Sequence, residues 1–158
     1  MGINNIQIIL LNRITNIEYM FNNCKSLKNK VELKYLDTKE INNFSDMFSG
    51  CDLLSDISPL ENWDVSNENN FEGMFSRCSS LSDIKPLKNW NVSNGINFKR
   101  MFIFCELLSD IKPLQNWDVS NGKDFSYMFS YCNSLLDIKP LENWDVSNGN
   151  NFSGMLIW

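Results

Sequence analysis

The sequence contains no histidine, and this absence removes the base on which many nucleophilic enzymes depend. Neither a Cys–His nor a Ser–His–Asp site can be assembled without an imidazole. Alanine, the strongest helix former, is also missing. We therefore expect no enzyme built on these constellations, and any helix must be made from other residues.

Excess basic charge and long apolar runs are absent as well. The 158 residues include 14 Lys and Arg against 19 Asp and Glu, which gives a net charge of −5. This balance argues against nucleic acid and anionic membranes as partners, because neither attracts an acidic chain. The apolar run at residues 8–11 is too short to cross a bilayer and lacks the features of a secretory signal. We expect no membrane insertion, and either an intracellular location or, for a fragment of a larger protein, the cell surface.

The main feature of the sequence is a repeat of 27 residues without insertion or deletion. Cysteine, tryptophan, methionine and proline all recur at this spacing, as in Cys51, Cys78 and Cys105. Such regularity means that each unit contacts its neighbours in the same way. We treat residues 1–158 as a single domain with a degenerate first unit, five repeats and a partial last unit, at 1–16, 17–43, 44–70, 71–97, 98–124, 125–151 and 152–158.

The residue pattern within each unit predicts a short helix followed by an extended segment. Phe71, Met74 and Cys78 have the i, i+3, i+7 spacing of one helix face, and Asn70 before them suits an N-cap. Farther on, residues 90–92 alternate apolar and polar side chains as a half-buried strand does, and a strand just before the proline is the alternative. The predicted fold class is an α/β repeat solenoid, a leucine-rich-repeat-like stack of about five to six units, each with a short helix and short parallel strands.

Two blocks of the unit resemble the BspA-like leucine-rich repeat family. They read Trp-Asp-Val-Ser-Asn and Asn-Phe-x-x-Met-Phe-x-x-Cys-x-x-Leu, and they occur in residues 63–81, 117–135 and, with Asn91 for Asp, 90–108. The resemblance extends over about residues 14–158. It implies a leucine-rich-repeat-like stack that serves adhesion or the binding of proteins, as in bacterial surface proteins with similar repeats.

Five cysteines and ladders of carboxylates are the groups that could carry chemistry. We interpret the cysteines as small buried apolar residues, because their spacing suits neither a disulfide between neighbouring units nor a zinc motif. Equivalent carboxylates in a ladder lack the asymmetry that raises the pKa of a catalytic acid. We therefore predict that the chain is not an enzyme and takes no cofactor. Calcium binding is an alternative for one ladder, namely Asp37, Asp64, Asp118 and Asp145.

Differences between the repeats indicate a candidate binding stripe. The second and sixth residues after the first apolar residue of each predicted helix vary, and their spacing places them on one helix face. These pairs are Tyr19 and Asn23, Asp46 and Gly50, Gly73 and Arg77, Arg100 and Phe104, and Tyr127 and Tyr131. Arg and Tyr anchor many protein interfaces. With the neighbouring isoleucine added, the predicted contacts are Arg77, Arg100, Ile103, Phe104, Tyr127 and Tyr131.

The predicted function is a non-catalytic repeat scaffold for protein–protein binding or adhesion, with a protein of unknown identity as its partner. Neutral drift on a solvated surface is the alternative interpretation of the stripe. The alternative function is structural, with self-association through the open ends of the stack. A fragment of a larger surface adhesin would show the same features.

Overall fold

The computed structural model describes residues 14–28 and 31–157. Its regular elements are short 3₁₀ helices at Val31–Tyr35, Ser58–Leu60, Lys85–Leu87, Lys112–Leu114 and Lys139–Leu141. None of the described residues belongs to an α-helix or to a β-strand, and β-pairing among them is limited to isolated bridges. The prediction of an α/β repeat solenoid is therefore wrong.

Consecutive turns occupy the segment for which a helix was predicted. We number the positions of each repeat from Ile17, Phe44, Phe71, Phe98, Phe125 and Phe152. The fourth residue donates its N–H to the carbonyl of the first, as Met74 does to Phe71 at 3.3 Å, and the eighth donates to the fifth. The angle φ is positive at the third and seventh positions, +61° at Gly73 and +60° at Arg77. Turns of this kind require a left-handed third residue, and a right-handed helix cannot pass through it.

The N–H groups of the third, fifth and seventh residues bond to the following repeat, whereas the sixth donates to the third within its own repeat, as Ser76 does to Gly73 at 2.9 Å. In the fourth repeat, the N–H of Arg100 donates to the carbonyl of Ser126 at 2.9 Å, and the N–H of Phe102 donates to the carbonyl of Met128 at 3.0 Å. Isolated parallel bridges form at the last position of the repeat, at Asn16–Asn43, Asn70–Asn97, Asn97–Asp124 and Asp124–Asn151. Neighbouring repeats are thus joined by backbone hydrogen bonds, without the length of pairing that defines a strand.

Side-chain donors bond in the opposite direction, to the preceding repeat. The indole N–H of Trp117 donates to the carbonyl of Leu87 at 3.0 Å, and the thiol of Cys105 contacts a carbonyl at 3.2 Å. The amide of Asn121 donates to a third carbonyl at 2.8 Å. The same bonds recur in other repeats. Each of these donors therefore satisfies a backbone carbonyl of the preceding repeat.

The interior consists of ladders of equivalent side chains. The rings of Phe75 and Phe102 are stacked with centroids 5.7 Å apart and an interplanar angle of 7°. Trp63 and Trp90 stack in the same way at 6.5 Å. The phenylalanine rings at these interior positions are fully buried. Because burying one such side chain contributes about 1.5–3 kcal/mol, the ladders are the main stabilising feature of the fold.

The two segments considered for the strand also form turns. Asp83 Oδ1 accepts the N–H of Lys85 at 2.9 Å, and Pro86 lies in the short 3₁₀ helix that begins there. After the tryptophan position, Asp64 Oδ1 accepts the N–H of Ser66 at 3.0 Å. These local side-chain acceptors take backbone donors that a strand would have presented to its neighbour.

One interface between repeats departs from the pattern. Glu68 stands where the three following repeats have glycine, and its side chain is fully buried. Its Oε1 accepts the N–H of Asn70 at 2.5 Å, whereas Oε2 has no hydrogen-bond partner within the described residues. The bridge expected between Asn43 and Asn70 is missing from this described part of the chain. Burial raises the pKa of Glu68 to about 7, and the facing backbone N–H groups offset only part of this effect.

Candidate binding face

The variable stripe of the sequence coincides with the left-handed positions of the turns. Eight of the residues with positive φ carry a side chain and three are glycine. At the third position they are Tyr19, Asp46, Gly73, Arg100, Tyr127 and Gly154, and at the seventh Asn23, Gly50, Arg77, Phe104 and Tyr131. Along the chain, these positions lie between positions whose side chains are mostly buried. We call the side chains of the second, third and seventh positions the turn face.

The seventh positions carry a continuous stack of planar groups. The guanidinium of Arg77 lies 5.0 Å from the centroid of the Phe104 ring. The Phe104 ring in turn stacks on Tyr131 at 4.6 Å with an interplanar angle of 4°. Arg77 and Tyr131 are exposed and Phe104 is half-buried. Three repeats therefore present one ordered Arg–Phe–Tyr row on the surface.

The third positions form a second row with glycines in it. Arg100 lies over the ring of Tyr127, 5.8 Å from its centroid. At Gly73, the space that a Cβ would take is filled by the carboxylate of Asp46, and at Gly154 it is filled by the ring of Tyr127. The glycines of this row thus make room for the side chain of the preceding repeat.

Charges differ along the turn face. Burial raises the pKa of Asp46, and Glu72 and Glu18 raise it further because they are negative. The pKa of Tyr19 is raised chiefly by the negative charge of Asp46. Beyond this acidic group, Lys99 forms an ion pair with Glu72 at 3.0 Å. The face is therefore acidic in the first two repeats, mixed in the third and basic in the fourth.

The predicted contact residues do not all reach the surface. Ile103 is only 8% exposed and is therefore not available at the surface as predicted. The other predicted contacts, at the third and seventh positions, are exposed or half-buried, and the two rows bring them together. Their role in binding a protein stays a prediction.

The cysteines are free, and their environments make most of them unreactive. Cys51, Cys78, Cys105 and Cys132 are fully buried, as interpreted from the sequence, but Cys24 is exposed. Burial raises the pKa of the Cys51 and Cys132 thiols to about 12 and that of Cys105 well above its usual range. Since the thiolate is the nucleophile, the buried cysteines are inert at neutral pH.

The carboxylate ladder considered for calcium is engaged in local turns. Asp118 Oδ1 accepts the backbone N–H and the hydroxyl of Ser120 at 3.1 and 2.7 Å, and these bonds lower the pKa of Asp118. Among the described residues, no three His, Cys, Asp or Glu side chains gather closely enough to hold a metal ion. The same residues include no helix long and apolar enough to span a membrane.

Two features were not predicted from the sequence, one on this surface and one in the interior. The charge order of Glu18, Glu72 and Lys99 lies at the second position, where the change from acidic to basic between repeats was the available signal. Glu68 was overlooked too, although its replacement of a glycine found in three other repeats was a visible signal.

Comparison with known proteins gives a family and a distant structural likeness. No curated protein matches the chain. A crystal structure of an internalin C2 from Listeria monocytogenes is similar at 17% identity and a TM-score of 0.25. The match covers 78% of this chain and 66% of the internalin, just under two thirds of its length, and at this TM-score it supports no conclusion.

The profile of DUF285, described as Mycoplasma protein of unknown function, matches residues 2–111 and 85–157. Neither comparison names the BspA-like family, so that resemblance stays a prediction. Because the two matched segments together cover nearly the whole chain, this protein belongs to the DUF285 family.

Proposed function

We propose that the protein is a non-catalytic repeat scaffold that binds another protein through its turn face, in adhesion or in a related assembly. The observation that supports this proposal is the surface stack of Arg77, Phe104 and Tyr131. Arginine and tyrosine are enriched among the residues that dominate binding energy in protein interfaces. Stacking also orders these side chains beforehand, which reduces the entropy lost when a partner binds.

The left-handed backbone adds to the argument. Gly50 and Gly73 show that the same turns form with glycine, which adopts positive φ without strain. A side chain at such a site costs roughly 1–2 kcal/mol. Eight described sites nevertheless carry one. Side chains that are kept on a surface at the expense of stability favour a role for that surface in recognition.

Other properties of the chain support a protein as the partner. The net charge of −5 disfavours nucleic acid and anionic lipid. The resemblance of the repeat to BspA-like leucine-rich repeats agrees with adhesion or protein binding. We propose no catalytic step and no cofactor, and we expect no insertion into a membrane.

The test compares the wild type with a Phe104→Ser/Tyr131→Ser variant in cross-linking mass spectrometry against a lysate of the source organism. We expect the partner peptides linked to Lys99 and Lys123 to fall on the order of tenfold in the variant, because two anchors are lost. The matched control is Leu107→Ser/Leu136→Ser, since both leucines are exposed and lie outside the turn face. Equal capture by the wild type and the Phe104→Ser/Tyr131→Ser variant, or no partner at all, would contradict the proposal.

A second candidate function is end-to-end stacking with another copy of the chain. The last repeats expose Leu136 at 93%, Ile138 at 41% and Phe152 at 40%, and such apolar surface favours association. Light scattering over a wide concentration range separates the two functions. Masses that grow steadily with concentration support stacking into open chains, and a mass that stays constant excludes it.

A further inference from the structure

The first half of the turn face is acidic. Glu18 and Glu72 occupy second positions and Asp46 a third position in the first three repeats. Burial raises the pKa of Asp46, the negative charges of Glu72 and Glu18 raise it further, and the positive charge of Arg100 lowers it. Of the three, Glu72 alone is paired with a cation among the described residues, through Lys99.

The second half of the face is basic and aromatic. Arg77 and Arg100 form no ion pair within residues 14–28 and 31–157, and their guanidinium groups lie instead against the rings of Phe104 and Tyr127. Both arginines are exposed. Their charge is therefore available to carboxylates outside the chain, and the rings beneath them hold them in place.

The order of these groups is self-complementary. Asp46, Gly73 and Arg100 occupy the third position of three consecutive repeats, so Gly73 lies one repeat from each charge. A two-fold axis through Gly73 would place Asp46 of one copy opposite Arg100 of another. The same axis would place the first repeat, with Tyr19, opposite the fifth, with Tyr127. Each pairing would occur twice, as in any isologous interface.

We infer that the turn face binds a second copy of this chain in antiparallel orientation, with the acidic half of each copy against the basic, aromatic half of the other. This inference rests on the proposed function, because it names the partner of the same face. Charge complementarity selects both the partner and its orientation, since a parallel arrangement would place like charges together.

The test uses two charge-reversal variants of the full chain in sedimentation velocity. Arg77→Glu/Arg100→Glu makes both halves of the face acidic, and Glu18→Lys/Asp46→Lys makes both halves basic. The wild type should have the mass of two chains and should dissociate as salt rises, with dimer affinity falling on the order of tenfold. Each variant alone should be monomeric. An equimolar mixture of the two should recover the two-chain mass, because the third positions of the second and fourth repeats then carry opposite charges across the interface.

The control carries the same charge change outside the face. Lys85→Glu/Lys112→Glu alters two exposed lysines of the short 3₁₀ helices and should leave the dimer intact. A monomeric wild type, or a mixture of variants that stays monomeric while both remain folded by circular dichroism, would overturn the inference. A monomeric wild type whose cross-linked partner disappears with Phe104→Ser/Tyr131→Ser would overturn the dimer but keep the proposed function. Masses beyond two chains would also overturn it, in favour of end-to-end stacking.

Discussion

Replacement of Glu68 by glutamine should stabilise the protein at about pH 8 and change it little at about pH 4.5. The folded-state pKa of about 7 exceeds the ordinary value of 4.5, so the folded protein holds a proton that the unfolded chain has lost. Stability therefore falls as the pH rises from the unfolded pKa to the folded one. At about 1.4 kcal/mol per pH unit, the full loss is about 3 kcal/mol, reached above about pH 7.

The assay is urea unfolding of the wild type and Glu68→Gln, followed by tryptophan fluorescence across this pH range. Glutamine has nearly the same shape but does not titrate in this range. The free energy of unfolding of Glu68→Gln, relative to that of the wild type, should therefore grow by about 3 kcal/mol as the pH rises from about 4.5 to about 8. Glu61→Gln is the matched control, because Glu61 is an exposed glutamate outside this interface. If the free energies of unfolding of Glu68→Gln and of the wild type differ by the same amount at every pH, Glu68 does not titrate in the folded protein as described.

Three further predictions concern the bonds between repeats and the thiols. Trp117→Phe should lower the free energy of unfolding by about 1–3 kcal/mol in urea, because the carbonyl of Leu87 loses its buried donor; an unchanged midpoint would show that this bond is dispensable. Asn121→Ala should cost about 1 kcal/mol in the same assay, whereas Asn62→Ala, which removes an exposed amide two repeats earlier, should cost less. Ellman's reagent should label Cys24 in the folded protein and leave the four buried thiols unmodified until urea unfolds it; rapid labelling of more than one thiol would contradict their burial.

Apolar spacing predicted which side chains are buried but not the backbone that buries them. Phe71, Met74 and Cys78 are fully buried, as a helix face would be. Consecutive turns place the same positions inside, because each turn advances the chain by a similar number of residues. Glycine at Gly50 and Gly73 is typical of a left-handed backbone. The equivalent sites of other repeats carry arginine, tyrosine or phenylalanine, which rarely adopt positive φ, so the repeat pattern as a whole did not predict it. Those residues adopt positive φ because the neighbouring repeat bonds their N–H groups, which is a tertiary effect that local preference does not contain.

Comparison between repeats predicted the surface better than it predicted the fold. The side chains at the variable third and seventh positions are exposed or half-buried. Ile103 fails because it is only 8% exposed, and the serines at the equivalent positions of the third and fifth repeats are buried as well. The local role of asparagine was also predicted: Asn70 Oδ1 accepts the N–H of Glu72 at 3.1 Å, although no helix follows. At a helix cap and at the start of a turn alike, the side-chain oxygen of asparagine accepts the N–H of the residue two positions later. An asparagine in the sequence therefore does not distinguish a cap from a turn.

The buried glutamate also has a mechanical consequence. A stack whose units contact only their neighbours separates under tension at its weakest interface. Glu68 leaves the Asn43–Asn70 bridge unformed and an ionisable group in the interior, while the later interfaces each retain a bridge. A pulling force applied along the stack would therefore part the chain first between the first and second repeats. Protonation would strengthen that junction, so the force needed to open it would depend on pH near neutrality.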